Sequence, residues 1–158
     1  MIKSKNTNGI YLGGTVNSEW RTAFITILNK ENLPLRCYNP IVENWTSACI
    51  DLEDLVKESS KYHVYVITPA MHGVYSIAEL CESAHDPRKK TFFYFKETDV
   101  DSEGNNIEWD PQQKNSLTAV ANLLLRHGAI RAYSMDALVE LIVTDYRNQP
   151  LIRDPFDV

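Results

Sequence analysis

At 158 residues the chain has the length of one compact domain, and its 44% hydrophobic and 23% charged content is ordinary for a folded protein. A net charge of −5 argues against a dedicated nucleic-acid surface, which would show a basic patch. Small anionic ligands stay open, because backbone amides bind phosphate without Lys or Arg. Cys37, Cys49 and Cys81 are odd in number and lack C-x-x-C spacing, which points to reduced thiols rather than a disulfide framework or a zinc site. No run of about 18 apolar residues predicts a membrane helix, and the polar start Met1–Asn6 has no signal-peptide core, so a cytoplasmic protein is expected.

Ile10-Tyr11-Leu12 reads as a first strand that ends in the turn Gly13-Gly14-Thr15. Ser18 is a candidate cap for a helix whose core face is Trp20, Ala23, Phe24, Ile27 and Leu28. Pro34 to Tyr38 is a second strand, stopped by Asn39-Pro40. Thr46 or Ser47 caps a second helix with core face Leu52, Leu55 and Val56. Tyr62 to Thr68, nearly unbroken in its apolar character, suits a central parallel strand covered on both sides. A third helix follows Gly73, with Val74, Ile77, Ala78 and Cys81 as its core face. Thr91 to Phe95 is a further strand, and Glu97 to Trp109 an acidic loop. Asp110-Pro111 starts a helix lined by Leu117, Val120, Ala121 and Leu124, which Gly128 ends. Ala129 to Tyr133 is the last strand. Ser134 caps a last helix carrying Leu138, Leu141 and Ile142, and the tail 150–158 reads as irregular.

Five alternations of strand and helix predict a single doubly wound, Rossmann/flavodoxin-like α/β domain over residues 1–158, with a five-stranded, mostly parallel sheet and helices on both faces. Ligands of such folds bind beyond the carboxyl ends of the strands, where Gly13 to Trp20, Thr68 to Glu79 and the chain from Phe95 onward should meet.

Gly13 and Gly14 let a ligand approach the backbone, or simply form a tight turn. Glu79 lies beside a helix core face, with Ser76 three and Tyr75 four residues before it, so both hydroxyls can neighbour its carboxylate. A half-buried carboxylate near hydroxyl donors is what a nucleophile needs; the plainer alternative is a solvated helix face. Asp99 to Asp110 partly mimics a calcium loop but lacks the final Glu, so an acidic surface turn is expected. Trp45 and Trp109 are candidates for stacking on a base, or for ordinary packing.

Three blocks then carry a resemblance: Tyr11-Leu12-Gly13-Gly14-Thr15 with Trp20-Arg21, Tyr38-Asn39-Pro40 with Trp45, and Val66-Ile67-Thr68-Pro69 with Gly73-Val74-Tyr75-Ser76-Ile77-Ala78-Glu79. Over residues 9 to 135 the chain resembles the nucleoside 2-deoxyribosyltransferase-like family. The resemblance implies cleavage of the N-glycosidic bond of a nucleoside or nucleotide, with Glu79 as nucleophile in a double displacement of the retaining-glycosidase kind. It implies that Glu53, with Asp51 in reserve, holds the sugar, and that Tyr11, Gly13 and Gly14 line the substrate; Trp20, Ser76 and Tyr75 are further candidates for substrate binding. No cofactor or metal is implied. A homo-oligomer is, with a neighbour's tail (here Ile152 to Val158) closing the pocket. Arg21 is a candidate phosphate partner or a surface arginine, and Glu53 could equally form a surface pair with Lys57.

One departure stands out. The family's acid, six residues before the glutamate, is replaced here by Gly73, with His72 beside it as a substitute proton donor. Two other readings follow: a module that binds a nucleotide without cleaving it, and a NAD-cleaving enzyme of the Toll/interleukin-1-receptor-like kind, which also sets a serine before a helix glutamate.

Overall fold

The computed structural model describes residues 6–39 and 46–149. In chain order the elements are β1 (Asn6–Gly14), α1 (Trp20–Asn29), β2 (Arg36–Tyr38), α2 (Ser47–Ser59), β3 (Ser60–Ile67), α3 (Tyr75–His85) and β4 (Lys90–Phe95). They continue with β5 (Thr98–Val100), β6 (Asn106–Glu108), α4 (Pro111–Arg126), β7 (Ile130–Ala132) and α5 (Met135–Arg147). The main sheet has the order β2-β1-β3-β4-β7 with every neighbouring pair parallel. This is the expected five-stranded doubly wound sheet. The acidic segment after β4 is not a plain loop but an antiparallel hairpin, β5–β6. Its turn is closed by Asp101, whose carboxylate accepts the amides of Glu103 and Asn105.

The pleat sorts the side chains. Ile10, Leu12, Tyr62, Val64, Val66 and Phe92 pack with the inner faces of α1 and α5. Tyr11, Tyr65, Ile67, Phe93 and Phe95 pack on the opposite face with α3 and α4. Seven of the eight residues of β3 are buried, as a central, doubly covered strand requires. Because the chain runs from β1 to β2 and then crosses to β3 on the other side, the sheet order reverses between β1 and β3, beyond Gly14 and Ile67.

Both glycines of the first turn are fixed by β3. A Cβ on Gly13 would lie 2.3 Å from the Tyr65 ring, and one on Gly14 would lie 2.2 Å from the Val66 carbonyl oxygen, with φ at +115°. The close approach that removes their side chains is therefore between strands, whatever else the turn does.

The later helices begin as expected. Asp110 and Gln113 form a reciprocal capping box with Pro111 in the first turn, Ser134 accepts from the Ala137 amide, and Gly128 follows α4 at φ +88°. Three expectations for the earlier helices are corrected. Ser18 does not cap α1; Glu19 holds that position without a side-chain bond. On α2 the expected core residues Leu52 and Leu55 are exposed, and no α2 residue is fully buried. The helix is turned so that Glu53 and Lys57 reach inward to polar partners on the sheet and on α3. On α3 the buried residues are Glu79, Leu80, Ser83 and Ala84, while Val74 stands exposed at the cap and Ala78 faces outward. Leu80 and Ala84 join the cluster of Tyr65 and Phe93, and that contact sets the rotation of the helix.

Candidate functional site

Tyr11 stands opposite His63 in the β1–β3 register and points to the α2/α3 side. Its hydroxyl donates to Glu53 Oε1 at 2.7 Å and lies 3.1 Å from Glu79 Oε2. The two carboxylate oxygens are thus no further apart than those two bonds laid end to end. One phenolic proton is shared between them and favours the shorter contact. Burial, then the charges of Glu79 and Glu53, push the Tyr11 hydroxyl well above its ordinary range, so it remains a donor.

The fourth member is Lys57, whose ammonium donates to Glu79 Oε2 at 2.9 Å; both side chains are largely buried. Glu82 lies 3.9 Å from the same ammonium. Burial lowers the Lys57 pKa, but the bond to Glu79 and the charges of Glu79 and Glu82 outweigh it, and the net shift is upward. Glu53 and Lys57 therefore do not form the surface pair that their spacing allows. Each takes a partner on another element: Tyr11 for Glu53, Glu79 for Lys57. Among the described residues, both bonds to Glu79 fall on Oε2. Lys57→Met should cost about 2 kcal/mol in chemical unfolding, because it strands a buried carboxylate. Adding Glu79→Gln should restore roughly half of that loss; a double variant as unstable as the sum of the singles would mean the ion pair carries no coupling.

Beneath the carboxylates runs a second polar chain. His63 Nε2 meets the Lys57 carbonyl at 2.8 Å, His63 Nδ1 meets Ser83 Oγ at 2.8 Å, and Ser83 Oγ meets the Tyr65 hydroxyl at 2.7 Å. A carbonyl only accepts, so Nε2 carries the ring proton, Nδ1 accepts from Ser83, and Tyr65 donates to Ser83. Every group is satisfied with a neutral imidazole. Burial, then the nearby charge of Lys89, pull the His63 pKa down to about 4. The unfolded chain, with its imidazole near 6.5, then binds the proton first as pH falls. The stabilising contribution is complete above about pH 6.5 and is lost as pH drops towards 4, to the extent of about 3 kcal/mol. Urea unfolding across this window should show that decline in the parent protein and a flatter curve in His63→Gln; parallel curves would exclude His63 as its source.

Arg21 is neither a surface arginine nor open to a phosphate. It is buried, and its guanidinium donates to the carbonyls of Leu12, Gly14 and Thr15 and stacks 4.5 Å from the Trp20 ring. Burial lowers its pKa to about 10, leaving it a cation at neutral pH. Trp20 is equally buried and donates from Nε1 to Thr15. Together they hold the end of β1 from below.

The remaining expected residues divide. Tyr11, Glu53 and Glu79 are brought together; Asp51 is exposed on α2. Tyr75 is exposed and Ser76 half-buried, and the groups bonded to Glu79 are Tyr11 and Lys57 in place of these two, because α3 turns its Glu79–Leu80 face inward. Trp109 is buried and donates to the Lys96 carbonyl. Trp45, Pro40 and the tail from Pro150 lie outside the described residues.

Two cavities flank this arrangement. One, of about 410 Å³, runs between α2 and α3 and is lined by Asp54, Lys57, His63, Tyr75, Glu82 and Ser83 among others. The other, of about 540 Å³, lies where the sheet order reverses, with Asn17, Ser18, Pro69, His72 and Asp99 among its walls. The second is built from the three segments expected to converge there. His72 belongs to it, whereas Glu79 lines neither cavity and meets the first through Lys57. Gly73 has open space where a side chain would stand.

Lys57, His63 and Ser83 were not singled out for a role from the sequence. Lys57 had a signal, its i+4 spacing from Glu53 on one face of α2. A polar His63 inside an otherwise apolar strand was the other. No family model matches this chain, and no curated protein does either.

Proposed function

We propose that the chain cleaves or exchanges the N-glycosidic bond of a (deoxy)nucleoside or nucleotide, the activity that its resemblance to the nucleoside 2-deoxyribosyltransferase-like family implies. The observation that carries this reading is the convergence of two carboxylates from different helices, Glu53 and Glu79, on one buried phenol, Tyr11. Both carboxylates lie within one hydrogen bond of the same oxygen, which sets a candidate nucleophile beside a group that can hold the sugar. In the proposed step a carboxylate oxygen of Glu79 bonds to the anomeric carbon while the bond to the base nitrogen breaks. The base leaves with the electron pair and takes a proton from water. Water or a second base then attacks the same carbon and releases Glu79. Glu53, held by Tyr11, is suited to accept from a sugar hydroxyl. Leu52 and Leu55, neighbours on α2 and both exposed to solvent, support the expectation of a homo-oligomer.

The absent acid at Gly73 favours one competing reading, a module that binds a nucleotide without cleaving it. The experiment offers deoxynucleosides, their 5′-monophosphates and NAD to the full chain and follows free base by chromatography, with ligand binding measured in parallel. Release from a deoxynucleoside or its monophosphate, lost in Glu79→Gln, is the expected result. Binding without release supports the module, and release from NAD alone supports the Toll/interleukin-1-receptor-like alternative.

A further inference from the structure

Away from the carboxylates, two histidines meet on the outer side of the α3/α4 layer. His85 is in the last turn of α3 and His127 is the residue that caps α4; both are exposed. Their ring centroids are 3.7 Å apart with the planes inclined by 33°. Both residues are exposed, so burial does not force the rings together.

The chemistry of the pair is set on one side. His85 Nδ1 lies 2.7 Å from the Cys81 carbonyl oxygen, one turn back on the same helix. A carbonyl cannot donate, so Nδ1 carries a proton, and in the neutral ring Nε2 is the nitrogen with the lone pair. Fixing one ring nitrogen by a carbonyl so that the other can ligate is the usual arrangement behind a metal-bound histidine. His127 is held by its backbone: its amide bonds to Leu124, and Gly128 follows in the left-handed conformation. Both imidazoles project from helix ends whose backbones are fixed, so a chelate needs only the exposed rings to splay from this stacked contact until their nitrogens converge.

We propose that His85 and His127 form a two-histidine surface site for a late first-row divalent ion, of which Cu²⁺ is bound most strongly by imidazole. No third His, Cys, Asp or Glu joins them among the described residues, so the remaining coordination positions are open to water or to a donor from another molecule. His85 lies on the same helix as Glu79, six residues further on, but the two side chains bond to different partners, and occupation of the site does not depend on the proposed glycosidic chemistry.

The test is a Cu²⁺ titration of the untagged full chain, followed by calorimetry and by electron paramagnetic resonance, with His85→Ala and His127→Ala in parallel. Circular dichroism should be unchanged in both, since both rings are exposed. One equivalent of Cu²⁺ carrying the splitting of two imidazole nitrogens is expected in the parent protein. Each variant should lose one nitrogen and bind at least about tenfold more weakly, a chelate loss of about 1.4 kcal/mol. Binding that keeps its affinity and nitrogen count in both variants, or no stoichiometric binding by the parent, overturns the proposal.

Discussion

Glu79→Gln is expected to lower the release of free base at least about 10³-fold while the protein stays folded. Glutamine keeps the length of the side chain and an oxygen that can accept from Tyr11 and Lys57, so the contacts at 3.1 Å and 2.9 Å have a replacement. What it removes is the carboxylate that, in the proposed step, forms the bond to the anomeric carbon. An amide oxygen is far too weak a nucleophile to take over, and whatever activity remains must come from direct attack by water on bound substrate. Since 1.36 kcal/mol corresponds to a tenfold change, the expected loss is about 4 kcal/mol of transition-state stabilisation. Base release measured at saturating substrate, with a melting curve for each protein, makes the check. A fall below tenfold in a folded variant would remove Glu79 from the chemistry and leave the carboxylate cluster as a structural ion pair.

The largest expected effect on stability belongs to Gly14→Ala, with a loss of about 3 kcal/mol or more. Two costs act together. The residue sits at φ +115°, which an L side chain rarely adopts, and its Cβ would fall 2.2 Å from the Val66 carbonyl and 2.8 Å from the Val66 nitrogen. Both are backbone atoms of the central strand, so no rotamer change can clear them; β1 and β3 must separate where they are hydrogen-bonded. At this chain length the loss corresponds to roughly 10 °C in melting temperature. Gly73→Ala, where a Cβ would meet nothing within 4 Å, is the control and should shift the melting temperature little. Equal effects at the two positions would show that glycine at 14 is not required by its neighbour. The Arg21 and Trp20 bonds to Thr15 hold the same turn, so a destabilised β1 end should also disturb Tyr11, three residues earlier.

Elements, their order and the sheet type were legible in the residues because each signal is local. Alternation of strand and helix, Asp110-Pro111, Ser134 and Gly128 are read from neighbours a few positions apart, and these features stand as expected. The central character of β3 was also legible, since a strand covered on both faces must be apolar on both. The rotation of α2 and α3 about their own axes was not. Periodicity assigned Leu52, Leu55, Val74 and Ala78 to the core, yet each of these is exposed. Two helices with apolar residues on more than one side leave the choice of inner face to whatever lies beneath: for α2 the polar partners Tyr11 and Glu79, for α3 the apolar contact of Leu80 and Ala84 with Tyr65 and Phe93.

The same division runs through the site. By itself the sequence determined a doubly wound parallel sheet, a glycine turn after its first strand, and a helix carrying Glu79 after its central one. Tertiary structure alone decided that Glu53, 42 residues from Tyr11, and Glu79, 68 residues from it, meet on one phenol oxygen, that Lys57 pairs with Glu79, and that Arg21 is buried under the turn. The physical reason is that a charged side chain on a helix surface reads alike whether it faces water or a partner. Only the packing of the helices on the sheet selects which charges lose their solvent, and a charge that loses solvent must find an opposite charge or a hydrogen bond within reach.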